Sequence, residues 1–230
     1  MEGVLLGFHR NKKMKKNYKS LYDPIQISEK LIKKCDFFGQ KMSVKHSARK
    51  RNQDPEKIKR DHALGKKGEC IVYLALKREI KEGQKLSKPD FAIYSAKEKS
   101  WDADLFLKTN NKNKKIHVKT QEFFQSKKFG LSWIFQYNNK EGFRGRDVEI
   151  FDAKNGSGFI FMVSFNEETN IGKICAICQV KTLLEKKMFK PPLKSSLNGI
   201  KKCIYAKDLI KEKIVKKENC KMVKGLFQNI

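Results

Sequence analysis

A segment that the sequence predicts to form a β-hairpin, residues 101–121, concentrates side chains that can take part in chemistry. Side chains alternate between the two faces of a strand, so one face of this hairpin is apolar and the other is polar. The polar face gathers two carboxylates, an imidazole, an ammonium and an amide, which belong to Asp102, Asp104, His117, Lys119 and Gln121. Carboxylates that face a lysine at a sheet surface are what metal-assisted phosphodiester cleavage requires.

Each polar side chain of the hairpin has an expected role in such a reaction. Mg²⁺ prefers oxygen ligands and keeps several waters, so Asp104 is the first predicted ligand and Asp102 the alternate. Lys119 is expected to contact the scissile phosphate and to orient or polarise the attacking water. Gln121 is expected to hydrogen-bond a phosphate or a water. Mn²⁺ is the expected substitute for Mg²⁺.

The composition indicates a polyanionic partner. The chain has 230 residues, and its 52 Lys and Arg against 25 Asp and Glu give a formal net charge of +27. Nucleic acid is the commonest partner for such an excess. A ribosome-associated protein and the lysine bias of an AT-rich genome are the alternatives. A hydrophobic content of 39% allows a substantial core.

The sequence contains no apolar run that approaches the ~18 residues of a membrane span. A short apolar patch at residues 1–7 precedes the lysine run, which is the reverse of the order in a secretory signal. We therefore expect a cytoplasmic protein that does not contact membranes. Its six cysteines are then expected to be reduced thiols.

The predicted elements favour an α/β or α+β fold in which helices flank a mixed central sheet. Asp54-Pro55 is typical of a helix start, and this helix is expected to run to Lys81. A polar turn is expected at residues 108–115, inside the hairpin. The expected strands besides the hairpin are Phe91–Tyr94, Gly130–Gln136 (or a short helix), Gly158–Phe165, Gly172–Val180 and Lys201–Tyr205. Residues 1–53 are expected to form a basic helical N-terminal region, and residues 54–230 a core that ends in a basic helical segment.

The hairpin and the helix before it resemble the PD-(D/E)xK nuclease superfamily, and type II restriction endonucleases in particular. In that pattern a helix supplies a Glu, a hairpin supplies an Asp, and the next strand supplies (D/E)-x-Lys. Glu69 matches the helix acid, Asp104 the hairpin Asp and Lys119 the lysine. Pro89-Asp90 matches the first dipeptide of the motif but lies before the preceding strand, so Asp104 is the better match. The resemblance covers about Gly65 to Leu183 and includes Phe159 to Val180, which is similar to the two later core strands of the family. It implies a restriction-endonuclease-like core with an Mg²⁺ site.

His117 departs from this pattern, because the family has Asp or Glu at that position. Imidazole is a poor Mg²⁺ ligand, so His117 is expected to hold a metal-bound water or to act as a general base. Glu69 or Asp102 would then supply the missing carboxylate. The alternative is that His117 and Lys119 lie on a solvated strand face, and that Glu69 is an ordinary surface charge of its helix.

Recognition of DNA is expected from loops near the polar edge of the hairpin. The candidates for base contacts are Gln136, Asn138, Asn139, Arg144 and Arg146. Asn and Gln pair with adenine and Arg pairs with guanine in the major groove. Lysines of the N-terminal region and of residues 181–217 are expected to contact phosphates.

The pattern as a whole indicates an Mg²⁺-dependent, sequence-specific endonuclease that cuts double-stranded DNA, of the type II restriction class. Cleavage of both strands of a palindrome needs two active sites, so a homodimer is expected. One alternative is a structure-specific DNA repair or junction-resolving nuclease on the same fold. A second alternative is a non-catalytic nucleic-acid-binding module whose polar hairpin only contacts phosphate.

Overall fold

The computed structural model describes residues 20–47, 54–94, 103–109, 112–138, 147, 150–151 and 158–220. The described helices are α1 (Glu29–Ser47), α2 (Pro55–Lys77), α3 (Phe123–Phe129), α4 (Val180–Glu185), α5 (Ala206–Lys211) and α6 (Lys217–Cys220). The described strands are β1 (Ile25–Gln26), β2 (Lys85–Leu86), β3 (Leu105–Thr109), β4 (Lys112–Glu122), β5 (Ser132–Gln136), β6 (Phe159–Asn166), β7 (Ile171–Gln179) and β8 (Lys201–Tyr205).

Six of these strands form one mixed sheet in the order β1-β7-β6-β4-β3-β2. β4 and β6 are parallel, and the other neighbouring pairs are antiparallel. β5 and β8 form a separate antiparallel pair. The fold is therefore mixed α+β with helices against a mixed sheet, as the sequence predicts at this level.

Two hydrophobic clusters cover the two faces of the six-stranded sheet. On one face, Ile71 of α2 and Cys35 of α1 belong to the same buried cluster as Val118 of β4. On the other face, Trp133 and Phe135 of β5 belong to the same buried cluster as residues of β6 and β7. On β4 itself, Ile116 and Val118 are buried in the first cluster, whereas His117, Lys119 and Gln121 on the opposite face stay partly exposed.

The hairpin of β3 and β4 has the predicted faces but a shorter turn. Leu105 and Leu107 are buried, as expected for the apolar face. The predicted turn at residues 108–115 is wrong, because Lys108 pairs with Asn113 and Thr109 with Lys112. Polar residues at the exposed end of a hairpin do not prevent strand pairing, since the backbone supplies the ladder hydrogen bonds.

A further prediction about the elements is wrong. Phe91–Tyr94 is not a strand, and a short strand lies at β2 instead.

The strand β7 departs from regular alternation. Cys175 and Cys178 are three residues apart, which would place them on opposite faces of a regular strand, yet both lie in the cluster that contains Trp133. The register shifts between Met162 and the following residue of β6, so β7 has a bulge there. An extra residue in one strand changes which side chains share a face.

The region before residue 54 makes extensive contact with the rest of the chain. β1 pairs with β7, and Ile25 and Ile27 are buried in the cluster that contains α2. The predicted division of the chain at residue 53 stays a prediction, and residues 1–19 lie outside the described residues. Among the described helices, none has the length and apolar character that crossing a bilayer requires.

α2 begins where the sequence predicts. The Asp54 side chain accepts a hydrogen bond of 3.0 Å from the backbone N–H of Glu56, and Pro55 is the first helical residue. Gly65 and Gly68 lie inside this helix, and Gly68 is required there by packing. A Cβ atom at Gly68 would lie 1.8 Å from Oγ1 of Thr120 in β4, so only glycine lets the helix approach the strand this closely.

We predict that Gly68→Ala lowers the free energy of unfolding by about 1–3 kcal/mol, because the added methyl overpacks the contact with β4. Gly65→Ala is the matched control in the same helix, since nothing lies within 4 Å of its added Cβ. The control is expected to raise stability by about 0.5–1 kcal/mol through helix propensity. Urea denaturation of both variants checks this. Equal stability of the two variants would show that the approach of α2 to β4 is loose.

Candidate active site

The candidate site lies at an edge of β4 that β3 leaves uncovered. β4 has eleven residues, and β3 pairs only with Lys112 to Ile116. Within the described part of the chain, no strand pairs with the β3 side of residues 117–122. All six of these residues line one cavity of about 760 Å³. A cavity along a strand edge can be reached by side chains from both faces of the sheet.

Asp104 immediately precedes β3 and takes over part of the missing strand pairing. Its Oδ2 accepts a hydrogen bond of 2.7 Å from the backbone N–H of Val118. A buried N–H at an uncovered strand edge needs an acceptor, and this carboxylate supplies it. The last ladder pair joins Leu105 to Ile116, so the next residues along the two strands are Asp104 and His117. Both line the cavity.

Lys119 lies two residues after His117 and makes an ion pair. Its Nζ lies 2.6 Å from Oδ1 of Asp147, and both side chains are mostly buried. The same ammonium lies 5.3 Å from the ring centroid of Phe135. The ammonium has three N–H donors, so it can contact a phosphate either by leaving Asp147 or by donating to both groups at once.

Glu69 reaches the cavity from α2. Its side chain is only 7% exposed, so it is not an ordinary surface charge of the helix. Lys66 donates to both of its carboxylate oxygens, at 2.7 and 2.9 Å. A carboxylate this deeply buried needs a nearby cation, and Lys66 provides one. Glu69 therefore enters the cavity as a charge-balanced carboxylate.

Gln121 is engaged by the protein itself. Its Oε1 accepts from the backbone N–H of Ser132 over 2.9 Å, and its Nε2 donates to the carbonyl of Gly130 over 3.1 Å. Both ends of the amide thus hold the start of β5 against β4. This contact gives Gln121 a positioning role in the described structure, while its predicted contact with a phosphate or a water stays a prediction.

Asp147 is a cavity residue that the sequence analysis did not single out. Besides its ion pair with Lys119, its Oδ2 accepts from the backbone N–H of Gln136 over 2.8 Å. Its own N–H donates to the carbonyl of Gln136 over 3.0 Å. Asp147 thus links Lys119 to the end of β5. No spacing in the sequence signals a contact between positions 119 and 147, because it depends on tertiary packing.

The carboxylates around the cavity determine whether it can bind a metal ion. Among the described residues, no group of three or more His, Cys, Asp or Glu side chains is arranged to hold a metal ion. Mg²⁺ is commonly bound by one or two carboxylates together with waters and substrate phosphates, so Asp104 and Glu69 suit it chemically. Burial raises the pKa of the Glu122 carboxyl in the same cavity, and the charge of Glu167 raises it further.

The predicted recognition residues are described only in part. Gln136 lines the cavity and has an exposed side chain. Nδ2 of Asn138 donates to the carbonyl of Gly199 over 3.1 Å, so this amide contacts the protein. The residues that lie outside the described structure are Asn139, Arg144 and Arg146, together with the alternate metal ligand Asp102.

The chain matches no known family model, no curated protein and no solved structure.

We predict that Asp147→Ala lowers the free energy of unfolding by about 1–3 kcal/mol, since it leaves the Lys119 ammonium and the Gln136 N–H without this acceptor. The matched control is Asp61→Ala, which removes an ion pair with Lys57 whose side chains are more than half exposed. The control is expected to cost less than about 0.5 kcal/mol. Chemical denaturation measures both, and similar losses would contradict a stabilising role for the buried pair.

Proposed function

We propose that this protein is an Mg²⁺-dependent endonuclease that cuts double-stranded DNA at specific sequences, as type II restriction enzymes do. The observation that carries the proposal is the convergence of Glu69, Asp104, His117 and Lys119 on one cavity at the uncovered edge of β4. The net charge of +27 supports a nucleic acid as the partner. The restriction-endonuclease resemblance of the sequence motifs supports the reaction class.

The order of elements also supports a restriction-endonuclease-like core. α2 bears the acid, the β3–β4 hairpin follows with Asp104 and Lys119, and β6 and β7 complete the sheet beside β4. This is the order that the resemblance implies for the helix acid, the hairpin and the two later strands.

The candidate residues have distinct proposed roles. Asp104 and Glu69 would hold Mg²⁺, which neutralises charge on the scissile phosphate and activates a water when bound. Lys119 would exchange part of its contact with Asp147 for a phosphate oxygen. His117 would accept a proton from the attacking water, a role that suits an imidazole near neutral pH. Mn²⁺ is expected to replace Mg²⁺, because it accepts the same oxygen ligands.

The proposed partner is duplex DNA bound by two copies of the chain. A palindromic site presents the same cut position on each strand, so a two-fold symmetric dimer supplies one cavity for each. Gln136 at the cavity is the described candidate for a base contact, since Gln pairs with adenine in the major groove.

We predict that Asp104→Asn lowers the rate of DNA cleavage in Mg²⁺ by about 10²-fold or more, because a metal ligand loses its charge. Asp90→Asn is the matched control. Asp90 belongs to the Pro-Asp dipeptide but accepts hydrogen bonds from Ala92 and Tyr94, and it does not line the cavity in the described structure. The control is expected to cleave at the wild-type rate.

A panel of plasmid and phage duplexes, incubated with Mg²⁺ or Mn²⁺, provides the measurement. Discrete fragments from the wild type and from Asp90→Asn, but not from Asp104→Asn, would support the proposal. Duplex DNA that stays intact with both metals would contradict the proposal. Loss of cleavage in Asp90→Asn alone would move the metal ligand to the other aspartate.

We predict that His117→Ala lowers the cleavage rate by about 10²-fold or more at neutral pH, the usual contribution of a general base. His117→Glu is expected to retain cleavage in Mg²⁺, because it supplies the carboxylate that the motif has at this position. Cleavage rates of the wild type and both variants on the same duplex, in Mg²⁺ at neutral pH, check this prediction. Full activity of His117→Ala would remove this residue from the mechanism.

A non-catalytic nucleic-acid-binding module is the second candidate function. The observation in its favour is the pairing of Lys119 with Asp147, together with the lack of a three-ligand metal group among the residues that the structure describes. The module predicts binding that weakens steeply with salt, and no cleavage of any DNA. A structure-specific repair nuclease would instead cut branched substrates and ignore perfect duplex.

A further inference from the structure

Three of the residues around the cavity have large apolar side chains that are exposed. Phe129 at the end of α3 is 46% exposed, Ile134 in β5 is 48% exposed and Leu193 is 70% exposed. All three line the cavity, and together they are called the apolar lip below. Single exposed apolar residues are common on protein surfaces, but several at one cavity indicate a contact surface.

The loop that contains Leu193 is held against β8 by hydrogen bonds. Lys190 and Cys203 exchange two backbone hydrogen bonds of 2.8 Å. The hydroxyl of Tyr205 donates to the carbonyl of Pro191 over 3.0 Å. The next residue, Pro192, is buried, and two consecutive prolines restrict the backbone. Leu193 is therefore held outward by a stiff loop, which reduces the entropy lost when it contacts a partner.

The chain segment that contains Leu193 is strongly basic. Residues 181–217 contain twelve lysines against three acidic residues, so this part of the surface favours a polyanion over a neutral or basic partner. Lys190 and Lys194 lie on either side of Leu193 in the sequence and are exposed. An apolar tip between two cations fits a DNA base step that has been unstacked, because the separated base faces are apolar and the phosphates beside them are negative.

We infer that Leu193 inserts into a base step of bound duplex DNA and unstacks it, with Phe129 and Ile134 against the base that becomes exposed. The inference rests on the DNA binding of the proposed function and adds to it a deformation of the substrate. Leu, Ile and Phe are side chains that proteins insert between base steps, and the unstacked step kinks the duplex. Because the apolar lip lines the same cavity as Asp104 and Lys119, the kink would lie next to the scissile phosphate.

The test uses synthetic duplexes that each carry 2-aminopurine at one position, a base whose fluorescence rises when its stacking is lost. The full-length protein is titrated in a buffer with EDTA, so that binding is observed without metal-dependent cleavage. The variants are Leu193→Ala, Leu193→Phe as the conservative replacement, and Val44→Ala as the control. Val44 is 67% exposed on α1 and does not line the cavity in the described structure.

The expected result is a fluorescence rise at one position of the duplex with wild type, Leu193→Phe and Val44→Ala. Leu193→Ala is expected to lose most of this rise while its DNA affinity changes by less than about threefold, because the lost contact and the avoided unstacking cost offset each other. A rise that persists in Leu193→Ala would overturn the inference. Binding without a fluorescence rise at any position would overturn it as well. So would displacement of the duplex by vesicles of anionic lipid, if the binding of the vesicles is lost in Leu193→Ala.

Cleavage assays on the same proteins keep the two proposals separate. A Leu193-dependent fluorescence rise without cleavage in Mg²⁺ or Mn²⁺ would leave the inference standing and reject the endonuclease. Cleavage by wild type with no fluorescence rise would support the endonuclease and reject the inserted leucine.

Discussion

The backbone of β4 must form hydrogen bonds on two sides, but β3 covers only its first half. The residues of β4 after Ile116 have no partner strand on that side in the described structure. An unpaired N–H at an enclosed strand edge costs free energy unless another group accepts from it. Asp104 meets this requirement for Val118 through its side chain, and the amide of Gln121 joins the following part of the strand to the start of β5. The residues proposed for chemistry therefore lie where they do because the sheet is incomplete there. The same gap opens the cavity along the strand edge.

The close approach of α2 to β4 is the second condition for the site. Gly68 lies against Thr120, which places the neighbouring Glu69 at the cavity although it comes from the opposite face of the sheet to Lys119. A larger residue at position 68 would push the helix away and move the carboxylate with it. The acid of α2 and the groups of the hairpin are thus coupled by one helix–strand contact, and not by their distance along the chain.

Local periodicity in the sequence predicted much of this arrangement. The alternation in residues 105–107 and 116–119 gave the correct faces, and the cap at Asp54 gave the correct start of α2. Features that depend on long-range packing were missed. The bulge in β7 shifts the faces of its cysteines, and α3 was not predicted because its lysines and phenylalanines show no clear apolar period. Asp147 was missed for the same reason, since its role comes only from its contact with Lys119.

The ion pair of Lys119 with Asp147 explains how a mostly buried ammonium is tolerated beside β4. Positive charge spread over the surface attracts a polyanion from a distance, whereas an unpaired ammonium next to the strand would have to be desolvated without a partner. Asp147 satisfies that ammonium in the free protein and also accepts from the backbone of β5. The carboxylate therefore holds the Lys119 side chain in one position beside β4. Because an ammonium has three N–H donors, this ion pair leaves it able to donate to a further acceptor in the cavity.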